Sequence, residues 1–388
     1  MNLRNRTFTV AAIALTAVSV TAFVAVLAVG LPLPGPLNAK PAASPHVPSV
    51  PPTARTTVQL GEQFLDDWVQ NGRVVRLDQG GDTVSEGQSY GMLISLGVRD
   101  KKAFTAIWNW TKENLQRPDE LFSWRWQNGA VVDDQPASDA DLEIARALLL
   151  AGKAFHESGW TAQGRAIANA VANDLTVDTG AGRILLPGLW AAGAGPYSYN
   201  PSYAAPEAIA QIASATNDRR WAELEVGTRA VADELPQKSH LPPDWAQVEP
   251  DGSVNDLPGP TGEGPSVRYS FDATRFPINA ASSCNAGDVA MAAGIASTLG
   301  SRDPLPVDLD LGGSPLDSVH NPVAYLARAS ARAAQGKRAS ALADIRRADS
   351  LDRTDQTYYG AAWAALAPLL IDTTRLGGCP PLGKDTSS

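Results

Sequence analysis

The chain has 388 residues, 44% apolar and 19% charged, which suits one large globular domain with tails and excludes a disordered, collagen-like or multi-span membrane protein. Acidic residues outnumber basic ones 41 to 32, giving a net charge of −9, and no long Lys/Arg run occurs, so nucleic acid is excluded as a partner. The four histidines lack helical metal-ligand spacing, the two cysteines form no CxxC, and no glycine-rich phosphate loop follows a strand; no metal and no cofactor are expected.

In chain order, Arg4 and Arg6 precede a run from Thr7 to Leu31 that contains no charge. The run is long enough to cross a bilayer, and basic residues ahead of it direct the rest of the chain to the outside. Residues 1–31 are therefore expected to be an uncleaved membrane anchor. A cleaved signal peptide is the alternative, although Leu37-Asn38-Ala39 is a poor cleavage site. Eight prolines between residues 32 and 52 make a stiff extended linker that ends near residue 56. The remainder is expected outside the cytoplasm, where Cys284 and Cys379 have two readings, a bridge or two free buried thiols.

From residue 57 to 376 the pattern is that of one helical domain. Apolar residues recur at i, i+3 and i+4, as in ALLLAGKAF (147–155), and predict helices over 57–70, 86–98, 101–115, 138–157, 159–175, 203–215, 217–235, 272–282, 285–299, 319–334, 337–350 and 357–370. Extended pieces are expected only at Arg73–Leu77 and Ile184–Leu186, and 116–137, 176–202 and 236–271 read as long loops. Twelve helices imply an all-α protein of six helical hairpins, an (α/α)6 barrel. The rival, an open solenoid, lacks a visible 34-residue repeat. Residues 377–388 read as a flexible tail, and the protein is expected to act as a monomer.

Three carboxylates open predicted helices: Glu86 in SEGQSYGM, Asp139 in ASDAD and Asp272 in YSFDATR. These are the second, fourth and eighth helices, which in an up-and-down ring share a direction and gather their N-termini at one face. Capping alone accounts for any single acid at such a position. Ser85 with Gln88 reads as a capping box, and Ser138 with Asp141 resembles one, so Asp141 is taken as a cap. Three acids beside Tyr, Gly or Arg point further. A site of carboxylates without metal, His or Cys suits glycosidic cleavage, which needs a protonated carboxyl for the leaving oxygen and a carboxylate for water or the sugar. Flat aromatics for sugar faces lie nearby: Tyr90, Trp124, Trp126, Trp190, Tyr197, Tyr199, Tyr203 and Trp245. Core packing is the competing role for each.

Two other chemistries compete with this one. Gly87-Gln88-Ser89-Tyr90-Gly91 matches the GxSxG nucleophile elbow of serine esterases, but no buried strand precedes it and only His320 follows at a useful place. A non-catalytic glycan-binding helical protein would share the aromatics without needing three acids.

The segment 137–155 matches the signature of glycoside hydrolase family 8 along its length, SEGQSYGM (85–92) resembles the segment holding that family's general acid, and YSFDATR (269–275) the one holding its base. NPSYAAPE (200–207), LLPG (185–188) and PPDW (242–245) are similar to further family blocks. The resemblance covers roughly residues 60–370 and is strongest toward endoglucanases, including those associated with cellulose synthases. It implies an (α/α)6 barrel and inverting endo-hydrolysis of a β-1,4-linked polysaccharide, with Glu86 as acid, Asp272 as base and Asp139 gripping the sugar at the cleavage subsite. It also implies that Arg275 orients the base, that a Trp of the 124–126 stretch stacks on the sugar, and that a cellulose-synthesis complex is a partner. Cellulose and other β-glucans are the expected substrates, with xylan and chitosan left open.

Overall fold

The computed structural model describes residues 54–238 and 240–383. The expected anchor, most of the proline-rich linker and residues 384–388 lie outside the described residues. Among the described residues no helix is long and apolar enough to cross a membrane.

The helices are α1 (Thr57–Trp68), α2 (Ser85–Val98), α3 (Lys101–Leu115), α4 (Ser138–Ala154), α5 (Ser158–Asp174), α6 (Pro206–Thr216), α7 (Arg219–Lys238), α8 (Arg275–Ala281), α9 (Ala286–Gly294), α10 (Ala296–Leu299), α11 (Pro322–Ala334), α12 (Arg338–Thr354) and α13 (Tyr358–Ile371). Composition decides which of them are central. In α13, YYGAAWAALAPLLI is apolar or small on every side and buried almost throughout, whereas α12 keeps a charged face outward. The inner set runs α2 on α4, α4 on α6, α6 on α8, α8 on α11, α11 on α13, and α13 back on α2. Helices α3, α5, α7, α9 and α12 each pack against an inner neighbour, and α1 packs on both α2 and α13.

Three expectations need correcting. The helix foreseen over 285–299 is two, α9 and α10. The helix foreseen from 272 starts at Arg275, because the N–H groups of Ser270 and Ala273 both bond to the Asp244 carboxylate and hold residues 270–274 as a turn. The long loops are not irregular either. They contain antiparallel strands β4 (Ser123–Gln127) and β5 (Ala130–Pro136), which join β3 (Thr83–Val84) from outside the loops in the order β3-β4-β5, a hairpin β6 (Thr176–Thr179)–β7 (Gly182–Leu185), and a sheet ordered β10-β9-β8 from β8 (Tyr197–Tyr199), β9 (Trp245–Val248) and β10 (Val254–Leu257). Strands β1 (Val69–Gln70) and β2 (Arg73–Val74) precede them. Asn128-Gly129 turns β4 into β5 with φ of 53° and 90°, and Asn71-Gly72 does the same between β1 and β2. Asn-Gly is the strongest short hairpin signal a sequence carries, because both residues tolerate the left-handed region.

Neither foreseen capping box forms. The N-cap of α2 is Val84, and Gln88 instead accepts from the Val74 N–H at 2.6 Å and donates to Thr111 Oγ1 at 2.7 Å, tying α2 to β2 and α3. Asp141 accepts the Phe122 N–H at 2.8 Å rather than capping α4. Cys284 and Cys379 are bridged. The segment from Gly377 is docked, not free, as far as Gly383: Leu382 is buried and its N–H donates to the Ile371 carbonyl.

Candidate active site

Glu86 stands in the first turn of α2, directly after β3. The approach to it is fixed by Asp82, a fully buried carboxylate that accepts from Arg76 Nε and Nη2 at 2.7 and 2.6 Å and from Arg125 Nε at 2.7 Å. Burial works against that charge, but the two guanidiniums hold the Asp82 carboxyl below the usual carboxylate range. Next to the acid, Gly87 has to be glycine, since a Cβ there would collide with the phenol oxygen of Tyr358.

Asp139 occupies the first turn of α4, where its Oδ1 accepts the Ala140 N–H at 2.9 Å. Its Oδ2 takes a 2.7 Å hydrogen bond from Nη1 of Arg275, the first residue of α8. The same guanidinium donates through Nη2 to Asp272 Oδ1 at 2.6 Å and through Nη1 to Tyr90 Oη at 3.3 Å, and it lies 5.1 Å over the Tyr203 ring. Arg275, Asp139 and Tyr90 are buried, while the Asp272 side chain remains 31% exposed. A cavity of about 20 Å³, room for roughly one water, lies against Ser89, Tyr90, Asp139, Arg275 and Asn279. One arginine thus joins two of the three acids, two aromatics and three helices.

Glu86 is the third acid. Among the described residues its carboxyl accepts no hydrogen bond, and its side chain is half-buried. Burial, then the nearby Asp139 charge, push it up to about 8, against the pull of Arg275 and Arg76. Asp139 is also raised by burial, with Arg275 opposing. The face therefore holds a carboxyl that keeps its proton near neutrality and an arginine-paired carboxylate open to solvent.

The aromatics divide. Tyr203 meets Trp245 at 5.9 Å between ring centroids, and Trp245 meets Trp190 at 6.3 Å, so rings lead outward from Arg275 to an indole that is 44% exposed. Trp124 is half-buried on β4 beside the Arg125 guanidinium. Trp126 is not drawn into this group: it packs edge-on against Trp110 of α3 and under Arg73. Tyr199, expected to bind substrate, is buried with Tyr197, Val231 and Val248 in a separate small core. That core forms because β8 pairs with β9, a neighbour far along the chain.

Sequence reasoning passed over Arg76, Tyr358 and Tyr359, and gave Asp244 no role beyond its place in the PPDW block. Tyr359 donates to the Phe271 carbonyl at 2.8 Å, beside the Asp272 turn, and packs against Phe271 and Trp363. The signal available was position: Tyr358 and Tyr359 open the last inner helix, as Glu86 and Asp139 open theirs. The esterase alternative is overturned. Ser89 is buried and donates to the Glu86 carbonyl at 2.7 Å, and the His320 ring contacts the Leu305 carbonyl instead of a serine.

The family model for glycosyl hydrolases family 8 matches residues 52–295, which include all three acids. The chain belongs to glycosyl hydrolases family 8. Within the family it is 37% identical over 216 residues to a probable endoglucanase of Novacetimonas hansenii, covering 54% of this chain and 61% of that protein. It is 36% identical over 203 residues to an endoglucanase of Salmonella typhi, covering 48% and 53%. The chain thus matches only half to three-fifths of these curated relatives' length. Among solved structures, the endo-beta-1,4-glucanase of Acetobacter xylinum superimposes with a TM-score of 0.66 at 28% identity, covering 81% of this chain and 97% of that one. The family 8 endoglucanase of Klebsiella pneumoniae does so with a TM-score of 0.67 at 26% identity, covering 80% and 98%.

Proposed function

We propose that this family 8 protein is an (α/α)6 barrel that hydrolyses β-1,4-glycosidic bonds within a glucan chain, cellulose or a close relative, with inversion at the anomeric carbon. Glu86 is the general acid. Its proton passes to the glycosidic oxygen as the bond to C1 breaks. Asp272 is the general base, taking a proton from the water that attacks C1 from the opposite face. Asp139, held by Arg275, grips the sugar at the cleaved bond, and Tyr203, Trp245, Trp190 and Trp124 offer flat surfaces to neighbouring rings.

The observation that carries this reading is the contrast between two carboxyls at one face. Glu86 has no hydrogen-bond partner among the described residues and is pushed up to about 8, whereas Asp272 is paired with Arg275 at 2.6 Å. Further support comes from the relatives, which are named endoglucanases, and from inner helices that pack in a closed cycle. The same proposal has the domain exported and held at a membrane by the uncharged run from Thr7 to Leu31, acting as a monomer on polysaccharide within reach of a cellulose-synthesis complex.

The test is a pair of shape-preserving variants. Glu86→Gln and Asp272→Asn should both fold and lose at least ~100-fold in turnover on a soluble β-glucan. If the acids served only as helix caps, Asp272→Asn would keep its rate, since Asn caps as well as Asp does. Proton NMR of the first products should show the α-anomer; an initial β-anomer would overturn the inverting assignment.

A further inference from the structure

We infer that Asp244, in the Pro-Pro-Asp-Trp segment just before β9, is a positioning residue for the catalytic base. The inference rests on the reading of Asp272 as that base. Asp244 Oδ1 accepts the Ser270 N–H and the Ala273 N–H, each at 2.8 Å, and so grips the short turn carrying Asp272 on both sides. Its own N–H donates to the Arg268 carbonyl at 2.8 Å, which fixes the start of the same segment. No helix orders this turn from within, because α8 begins only at Arg275 and has seven residues. The Asp272 carboxylate is aimed from two directions: Arg275 holds the side chain, and Asp244 holds the backbone.

Trp245 packs against Tyr203, which lies under the Arg275 guanidinium. Asp244 and Trp245 are consecutive, so one two-residue step touches both supports of the base.

Titratable and charged groups around Asp244 are Asp272, Asp308, Tyr269 and, paired to Asp308 at 3.7 Å, Arg268. Burial, then the Asp272 charge, push Asp244 up to about 7, so around neutrality it is partly protonated and an amide is a close stand-in.

The experiment compares Asp244→Ala with Asp244→Asn in the full chain, on a soluble β-glucan. Loss of the clamp in the Ala variant should lower kcat by about 10- to 100-fold with KM nearly unchanged, because a misplaced base costs rate rather than binding. Hydrogen exchange at the Ser270 and Ala273 amides should speed up with it. The Asn variant keeps an acceptor for both N–H groups and should restore kcat to within about three-fold of wild type, with slow exchange regained. Wild-type kcat in Asp244→Ala would overturn the inference, as would an Asn variant that folds yet is as slow as the Ala variant. Should Asp244→Ala not fold, Asp244→Ser carries the same test, since its short hydroxyl cannot span both amides. Asp272→Ala separates the two readings. If its turnover is lost while the Asp244 variants are unaffected, only this inference fails; if its turnover is undiminished, the base assignment fails as well.

Discussion

At the scale of single residues, the site depends on unequal treatment of chemically similar groups. Glu86 opens a helix whose N-terminal dipole favours a charged carboxylate, yet burial and the Asp139 charge outweigh it and leave the acid protonated up to about pH 8. The consequence for rate is an alkaline limb: kcat/KM should fall as pH rises through about 8, and a limb at pH 5 instead would show that Glu86 is not held in this way. The consequence for stability has a definite sign. A carboxyl whose pKa is raised on folding weakens the folded state progressively as pH climbs from the ordinary Glu range through about 8. Glu86→Gln removes that cost, so its Tm at pH 8 should equal or exceed that of the wild type, while its proposed role as acid predicts lost turnover. A Tm markedly below wild type at that pH would mean that Glu86 supports the fold.

At the scale of elements, the hairpin β4–β5 sets Arg125 on Asp82 and across from Val84, two residues before Glu86, and its turn depends on Gly129 at φ 90° with no atom near enough to obstruct a side chain. Any cost of Gly129→Ala is therefore backbone strain alone, about 1 kcal/mol, visible as a lowered Tm and a raised KM for the glucan. Unchanged Tm and KM would show that the turn does not set the strand's position. The Asn-Gly pairs at 71–72 and 128–129 carry a hairpin signal that helical periodicity does not register: β1 fell at the end of an expected helix and β4–β5 within an expected loop. The carboxylates at 86 and 139 were legible because a helix start is a local pattern. The role of Asp244 was not, although its PPDW block stood out, because its partners lie 26 and 29 residues further on and no local spacing links them. Tyr199 and Tyr203 look alike in sequence and have opposite fates, since β9 covers the first and leaves the second beside Arg275. For the same reason Ser85 and Ser138 misled: cap-like spacing was present, but Gln88 and Asp141 had longer-range partners.

At the scale of the whole molecule, most of the helices were written in the periodicity, although 285–299 read as one helix and is two, while the order in which inner helices touch came from packing that periodicity does not encode. The bridge between Cys284 and Cys379 closes a loop with a sequence separation of 95. Replacing both cysteines by serine should lower stability by about 2–5 kcal/mol, measured by denaturant unfolding, and added reductant should reproduce the loss in the wild type. The bridged loop also encloses an open stretch at 314–319, where Leu316 and Val319 are 44% and 48% exposed. A protease that cuts there makes two fragments that cannot part. The nicked protein should run as one band on a non-reducing gel and as two after thiol treatment, with hydrolysis retained until the thiol is added. The bridge would then hold the cut chain together, letting the fold outlast a break in its own backbone.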